Sequence, residues 1–373
     1  MYGKNTATIT WLKYKNFGTY LQAYGLQQAI LGLGYINHII DDKKLPEPRL
    51  SMTNRLKSKI LEALPFDPRR PHQMLRNATK ESNILYNNFC KNYLKVDFES
   101  VKSADIVVDN YDQYICGSDQ IWSPLIKEHL EGYYYASFTK KKRIAYAASF
   151  GVNTYPADKE KEFKSLTSGF SAISCREKIG TFFVRDLLNI NAPQVVDPSL
   201  LLTGNQWRKI EEKPKDEPRK KYLLTYFLTP NQWYIDYARQ YAMEHNLQVV
   251  TFYLRTTSPI EADMAICAGP SEFVSMIDNA EVLFTDSFHG SIFATHMETP
   301  FVGFRRFSGE KEGQNLRLTG LYSMMNIPER FILDAEDCKR IKDMPLPNFT
   351  DMKSRLQPSI DKSLQFLKDS LSL

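Results

Sequence analysis

Four short segments of this chain set polar and charged side chains directly after apolar runs, each suited to an anionic or hydroxylated ligand. The most informative is Asp286-Ser287-Phe288-His289-Gly290. It follows an apolar run at 282–284 and reads as a loop, with a helical pattern beginning at 291 and a further apolar run at 301–304. In open parallel sheets ligands gather beyond the carboxyl ends of strands, so this is where chemistry is to be sought. An imidazole titrates near neutrality and can move a proton. Gly290 permits close backbone approach, and the amides opening the next helix offer unsatisfied donors to an anion. A satisfied structural histidine beside a glycine is the competing reading of His289; His296, one helical face further on, reads as structural.

The second segment is Gly117-Ser118-Asp119-Gln120, where a strand end needs close approach and polar contact more than packing. The third is Cys175-Arg176-Glu177. Arginine in the first turn of a helix opposes the helix dipole, while a guanidinium fork is a usual means of holding carboxylate or phosphate. The fourth spans 13–19, where Asn16 and Gly18 precede a helix whose amides face a ligand or, alternatively, where a turn ends in Thr19 as helix cap. Downstream lie Arg305, Arg306 and Arg317, the last in Asn315-Leu316-Arg317 ahead of a helix, which reads either as a solvated basic face or as reaching an anion.

The elements that position these groups alternate. Runs at 7–11, 35–40, 114–116, 143–150 and 172–175 read as strands, and 194–196 continues that rhythm. Helical periodicity covers 19–31, closed by Gly32 and Gly34. Residues 51–105 read as a helical insertion, with a short strand at 106–108 after it. Residues 208–221, charged and bearing two prolines, read as a connector. The rhythm then restarts with strands at 222–228 and 248–253, helices at 233–245 and 271–279 with Ser271 as cap, and a final helix at 356–371. The expected organisation is therefore an N-terminal domain over 1–207, a linker over 208–221, a C-terminal domain over 222–345, and a tail over 346–373 packing back on the first domain. Two successive doubly wound α/β halves follow from that rhythm.

With 373 residues, two domains are the natural expectation. A net charge of +5 is too mild for a dedicated nucleic-acid binder, yet compatible with an anionic substrate or contact with anionic lipid. No run approaches the roughly 18 apolar residues of a membrane span and the N-terminus lacks a signal-peptide core, so a cytoplasmic protein, peripheral at most to the membrane, is expected. The five cysteines are scattered without metal-ligand spacing, and no metal is expected. Dinucleotide, Walker and nucleophile-elbow patterns are absent.

Six blocks in order carry a resemblance: N-F-G-T-Y-L-Q-A-Y-G-L-Q (16–27), Y-I-C-G-S-D-Q-I-W (114–122), R-I-A-Y-A-A-S-F-G (143–151), S-C-R-E (174–177), V-V-D-P-S-L-L-L (195–202) and D-S-F-H-G-S-I-F-A (286–294). Together they resemble the polysaccharide pyruvyl transferase family. The resemblance implies two Rossmann-like doubly wound domains facing a cleft, GT-B-like, and transfer of the enolpyruvyl unit of phosphoenolpyruvate to a sugar as a ketal, with no cofactor beyond that co-substrate. It further implies a glycan or lipid-linked glycan acceptor.

That chemistry requires anion-holding groups and protonation of the methylene carbon before two hydroxyls attack. His289 matches the motif histidine, as general acid or as donor to the phosphate, and Arg176 matches the arginine that holds the donor, beside Glu177. Arg317 is assigned donor contact. Asp119, Asp286 and Asn16 orient sugar hydroxyls or act as base, and Gly18, Ser118, Ser287 and Gly290 line the site. Some members carry arginine two residues before the motif histidine; here that position is Ser287, so the donor's anion partner is expected from Arg317 or Arg305. A nucleotide-sugar glycosyltransferase and a non-catalytic glycan-binding relative remain the alternative readings.

Overall fold

The computed structural model describes residues 4–42, 71–103, 106–126, 132–229, 231–254, 261–308 and 315–372. The first half contains β1 (Asn5–Ile9), α1 (Phe17–Gly32), β2 (Ile36–Ile40), α2 (Pro71–Tyr93), β3 (Val96–Asp97), β4 (Val101–Ser103), β5 (Ile106–Val107), β6 (Gln113–Cys116), β7 (Lys142–Ala148), α3 (Glu160–Thr167), β8 (Ala172–Cys175), α4 (Lys178–Leu188) and α5 (Gly204–Arg208). The second contains β9 (Tyr222–Tyr226), α6 (Gln232–Glu244), β10 (Gln248–Phe252), β11 (Met264–Ile266), α7 (Pro270–Asp278), β12 (Val282–Thr285), α8 (Phe288–Met297), β13 (Phe301–Phe304), α9 (Leu316–Met324), β14 (Phe331–Ile332) and α10 (Phe349–Ser372).

Each half builds a six-stranded sheet, ordered β3-β2-β1-β6-β7-β8 and β11-β10-β9-β12-β13-β14. Every pair in both sheets is parallel. Parallel sheets bury both faces, and the central strands β6, β9 and β12 are buried along their whole length. The spatial order is the same in both halves, third-second-first-fourth-fifth-sixth, so each sheet has a switch point where ligands collect, between β1 and β6 and between β9 and β12. These are two Rossmann-like domains facing a cleft.

Several elements differ from the sequence expectation. Of the helical stretch expected over 51–105, residues 51–70 and 104–105 lie outside the described residues. In the remainder α2 is helical, but β3 pairs with β2 and β4 pairs with β5. Strands of two or three residues carry too little alternation to register in sequence, which also hides β11. Residues 194–196 form no strand, only a single bridge from Gln194 to Cys175. Helix α7 is capped by Gly269 rather than Ser271: Pro270 takes the first position, and Glu272 Oε2 accepts from the Gly269 amide at 2.9 Å. Helix α10 begins at Phe349 rather than 356 and runs through Pro358, because Met352 and Leu356 are buried on the same face as Leu367 and Leu371. Its last turns lie on the first sheet, where Ser363 Oγ accepts from the Val196 amide at 2.9 Å and Leu371 O accepts from Gln113 Nε2 at 3.2 Å. No helix among the described residues is long and apolar enough to cross a membrane.

The two domains share one core. Phe17, at the start of α1, stacks on Phe273 of α7 with ring centroids 4.6 Å apart and meets Phe252 edge-on at 5.2 Å. Trp207 packs against Phe293 at 4.9 Å. Each fully buried aromatic contributes about 1.5–3 kcal/mol, so the cleft is held by packing at one side of its floor. A polar contact joins the same seam: His296 Nε2 donates to the Ser199 carbonyl at 2.8 Å, which fixes the tautomer of a buried neutral ring.

Burial, reinforced by Lys353 and only partly opposed by the Ser199 hydrogen bond, lowers the His296 pKa from 6.5 to about 4. The unfolded chain therefore binds a proton at this residue before the folded one does, and its stabilising contribution, full above pH 6.5, is lost as the pH falls through about 4. Denaturant unfolding across this window should show the stability of the native protein relative to His296→Gln declining as the pH is lowered; a difference independent of pH would contradict the assignment.

Candidate functional site at the domain seam

The amino ends of α1 and α8 meet across the seam, and this places the histidine. Asn16 Oδ1 accepts from the Gly18 amide at 3.0 Å, starting α1 two residues earlier than expected. Ser287 Oγ accepts from the Gly290 amide at 3.3 Å, which puts His289 in the first turn of a helix rather than in a loop. The imidazole then lies over the α-carbon of Gly18, where an added Cβ would stand 2.0 Å from Nδ1. Glycine is required here for close approach. His289 Nε2 sits 3.7 Å from Asp197 Oδ1, an ionic separation too long for a hydrogen bond. That nitrogen is buried without a hydrogen-bond partner.

Asp197, which follows the 194–196 segment, organises the centre. Its Oδ1 accepts from the Ser199 amide at 2.9 Å and from Ser199 Oγ at 2.6 Å, and its Oδ2 accepts from Arg176 Nη1 at 2.9 Å. Burial alone would raise its pKa, but His289, Arg176 and Ser199 outweigh burial and hold the carboxyl well below the usual carboxylate range. Arg176 also gives Nε to Glu177 Oε1 at 3.2 Å and Nη2 to Ser149 Oγ at 3.0 Å, with Asp119 Oδ1 at 3.9 Å and the Phe288 ring 5.5 Å away. Burial disfavours this cation, yet Glu177, Asp197 and Asp119 raise its pKa above the ordinary arginine value. All three guanidinium nitrogens are committed, so Arg176 fixes carboxylates rather than presenting an open fork.

Arg317 is different. It stands in the first turn of α9, and among the described residues no carboxylate lies within ion-pair distance of it. With the Gln120 amide turned so that its oxygen faces the guanidinium, Gln120 accepts from Nη1 at 2.8 Å and Nη2 at 3.1 Å. Burial first, then Arg176, pull its pKa down to about 10 against the opposing Glu177 and Asp119. It remains charged at neutral pH, half-buried at the positive end of a helix, where an anion would relieve both effects.

A cavity of about 810 Å³ joins these groups. Arg176, Glu177, Asp197, Phe288 and Arg317 line one side; Val152, Ile179, Phe182, Leu321 and Met324 form apolar walls; Ser359 and Lys362 of α10 close the remainder. Concave sites of this size, with few polar groups on apolar walls, are typical ligand pockets.

Other expected site residues are placed differently. Ser118 is fully buried, its Oγ bound to the Ala147 carbonyl at 2.7 Å and its own carbonyl accepting from Thr10 Oγ1 at 3.1 Å, which leaves no edge for a ligand. Asp286 is not poised for catalysis either. Its two oxygens accept from the Leu228 and Thr229 amides at 2.6 and 2.9 Å, pinning the β9–α6 loop. Its pKa is raised by burial to about 6, against Arg306 and those amides. Gly290 is small because an added Cβ would meet Thr285 Oγ1 at 2.6 Å, a packing requirement. Asn16 and Ser287 are helix caps. Asp119, by contrast, lies in the cluster, held by Thr19 Oγ1 at 2.8 Å and close to Arg176. Arg306 donates Nε to Thr229 Oγ1 at 2.8 Å. The residues missed in sequence are Asp197 and Ser149, while Gln120 belongs to a segment singled out there without a role of its own. Asp197 sits in a block already singled out, V-V-D-P, and an aspartate closing an apolar run before proline was its signal.

With the geometry in view, the family model for polysaccharide pyruvyl transferases matches residues 16–306, which spans every cluster residue up to His289. The chain belongs to this family. No curated protein matches it in sequence. Among solved structures, UDP-GlcNAc 2-epimerase from Neisseria meningitidis bound to UDP-GlcNAc aligns over 98% of this chain and 99% of its own, with 10% identity and a TM-score of 0.51. A putative UDP-N-acetylglucosamine 2-epimerase from Listeria monocytogenes aligns over 98% and 91% with 12% identity and a TM-score of 0.49. The first of these likenesses is one of fold, two Rossmann-like domains of the GT-B kind.

The Gly18 contact gives a direct test. Gly18→Ala should leave the fold intact while displacing the imidazole, so the His289 ring resonances of the folded variant should move by nuclear magnetic resonance. Unchanged ring resonances would mean that the side chain does not rest on this backbone.

Proposed function

We propose that the chain transfers a pyruvyl group from phosphoenolpyruvate to two hydroxyls of a sugar in a glycan or lipid-linked glycan, forming a ketal and releasing phosphate. The observation that carries this reading is an interdomain cavity lined by Arg317, a guanidinium without a carboxylate partner among the described residues, and by Asp197, whose carboxylate lies 3.7 Å from the unpartnered Nε2 of His289. Phosphoenolpyruvate brings a carboxylate and a phosphate, and Arg317 with its helix end supplies charge and amide donors to one of them. Family membership supports the transfer class.

In this reading His289 delivers a proton to the methylene carbon, making an oxocarbenium-like centre at the neighbouring carbon. Asp197, 3.7 Å away, serves as counter-ion while the ring is an imidazolium. Arg176 keeps Asp197 ionised and oriented, a positioning task. The first sugar hydroxyl adds, phosphate departs with its bonding electron pair, and the second hydroxyl closes the ketal. These are acid–base steps, and the reading includes no cofactor beyond phosphoenolpyruvate as co-substrate. Arg317 takes the place of the family arginine absent at Ser287.

Phosphoenolpyruvate should raise the melting temperature in a concentration-dependent manner, as any ligand of the native state does, whereas a nucleotide sugar should not. His289→Ala should abolish ketal formation, read by mass spectrometry of candidate acceptors, with the fold retained; Arg317→Gln should raise the phosphoenolpyruvate KM about tenfold or more, in line with losing a charge-assisted contact. Retained turnover in His289→Ala, or stabilisation by the nucleotide sugar alone, would overturn the reading.

A further inference from the structure

Ketal formation needs a base for the acceptor as well as an acid for the donor, and the cluster contains a second unsatisfied group at its other end. Glu177 lies two residues beyond β8 and occupies the cap position of α4, yet its side chain makes no capping hydrogen bond to that helix. The carboxylate instead turns toward the seam. Its Oε1 accepts from Arg176 Nε at 3.2 Å and from Ser149 Oγ, while Oε2 is buried with no partner. A buried oxygen left open in this way calls for an explanation, and a catalytic role is one of the few.

The two unpartnered atoms, Glu177 Oε2 and His289 Nε2, terminate one chain of contacts. From His289 it passes to Asp197 at 3.7 Å, from Asp197 to Arg176 at 2.9 Å, and from Arg176 to Glu177 at 3.2 Å. The charged groups around Glu177 are Arg176 from its own segment, Arg317 from α9, and Asp119 and Asp197 across the guanidinium. Glu177 and Arg317 line the same cavity.

We propose that Glu177 is the general base that deprotonates the first acceptor hydroxyl, paired with His289 as the acid. This rests on the pyruvyl-transfer reading above. His289 gives its proton to the methylene carbon; the hydroxyl oxygen bonds to the adjacent carbon as its proton passes to Glu177 Oε2. The bond to phosphate oxygen then breaks, the electron pair leaving with phosphate. The second hydroxyl forms the second bond to the same carbon, its proton going to the departing phosphate. Exchange with solvent returns the proton from Glu177 and reprotonates His289.

The test uses the full chain with phosphoenolpyruvate and an acceptor identified by mass spectrometry. Glu177→Gln, which keeps an acceptor for Arg176 Nε, should lose about 10²–10⁴-fold in kcat. It should retain stabilisation by phosphoenolpyruvate and lose the acidic limb of the pH–rate profile, and formate should restore turnover to Glu177→Ala. Glu177→Gln turnover within about threefold of native with the acidic limb intact, or parallel loss of phosphoenolpyruvate stabilisation, would overturn the base assignment alone. A native protein neither stabilised by phosphoenolpyruvate nor turning it over would overturn the transfer reading, and this proposal with it.

Discussion

Burying a guanidinium at the floor of a cleft is the constraint from which the rest of the site follows. An isolated cation removed from water is prohibitively costly, so Arg176 is surrounded by Asp197, Glu177, Asp119 and Ser149, which come from four separate segments of the chain. Breaking one of its pairs would cost about 3–5 kcal/mol. Asp197 is thereby held ionised, the orientations of the surrounding carboxylates are set, and the groups at the two edges of the cluster, His289 and Glu177, are left with one open atom each. Rigidity at the centre is what allows incomplete satisfaction at the edges.

The second dependence is on the seam. Phe17 wedges into the aromatic core of the second domain, and the next residue, Gly18, is the surface on which His289 rests. Packing and chemistry thus share one turn of backbone: the domain arrangement fixed by Phe17, Phe273 and Phe252 also sets where the imidazole stands relative to Asp197. Helix α10, tied to Val196 by Ser363 just before Asp197, secures the same segment from behind.

Much of this was legible in the sequence, because strand-end polar clusters are where a doubly wound sheet exposes its loops. Arg176, Glu177, Asp119, Gly18 and His289 all fall in one cluster, from segments up to 271 positions apart in the case of Gly18 and His289. What was not legible is which polar atoms the fold itself consumes. Asp286 and Ser118 have the same local appearance as Asp119, yet the first is taken by two loop amides and the second by a carbonyl on the neighbouring strand, contacts set by tertiary register. Gly290 looks like a ligand-approach glycine and is a packing glycine against Thr285. Asp197 was passed over because its partners, Arg176 and His289, come from two different domains. The short strands β3 and β11 escaped for a simpler reason: they are specified by the neighbours they pair with, not by their own alternation.

In the proposed reaction the donor binds at the seam between His289 and Arg317. The most direct measurement is a titration of isotopically labelled protein with phosphoenolpyruvate, following the His289 imidazole resonances. Donor binding there should shift those resonances saturably, with apparent affinity weakened at least about tenfold by Arg317→Gln. Resonances of His289 that stay fixed while phosphoenolpyruvate binds and turns over would contradict it.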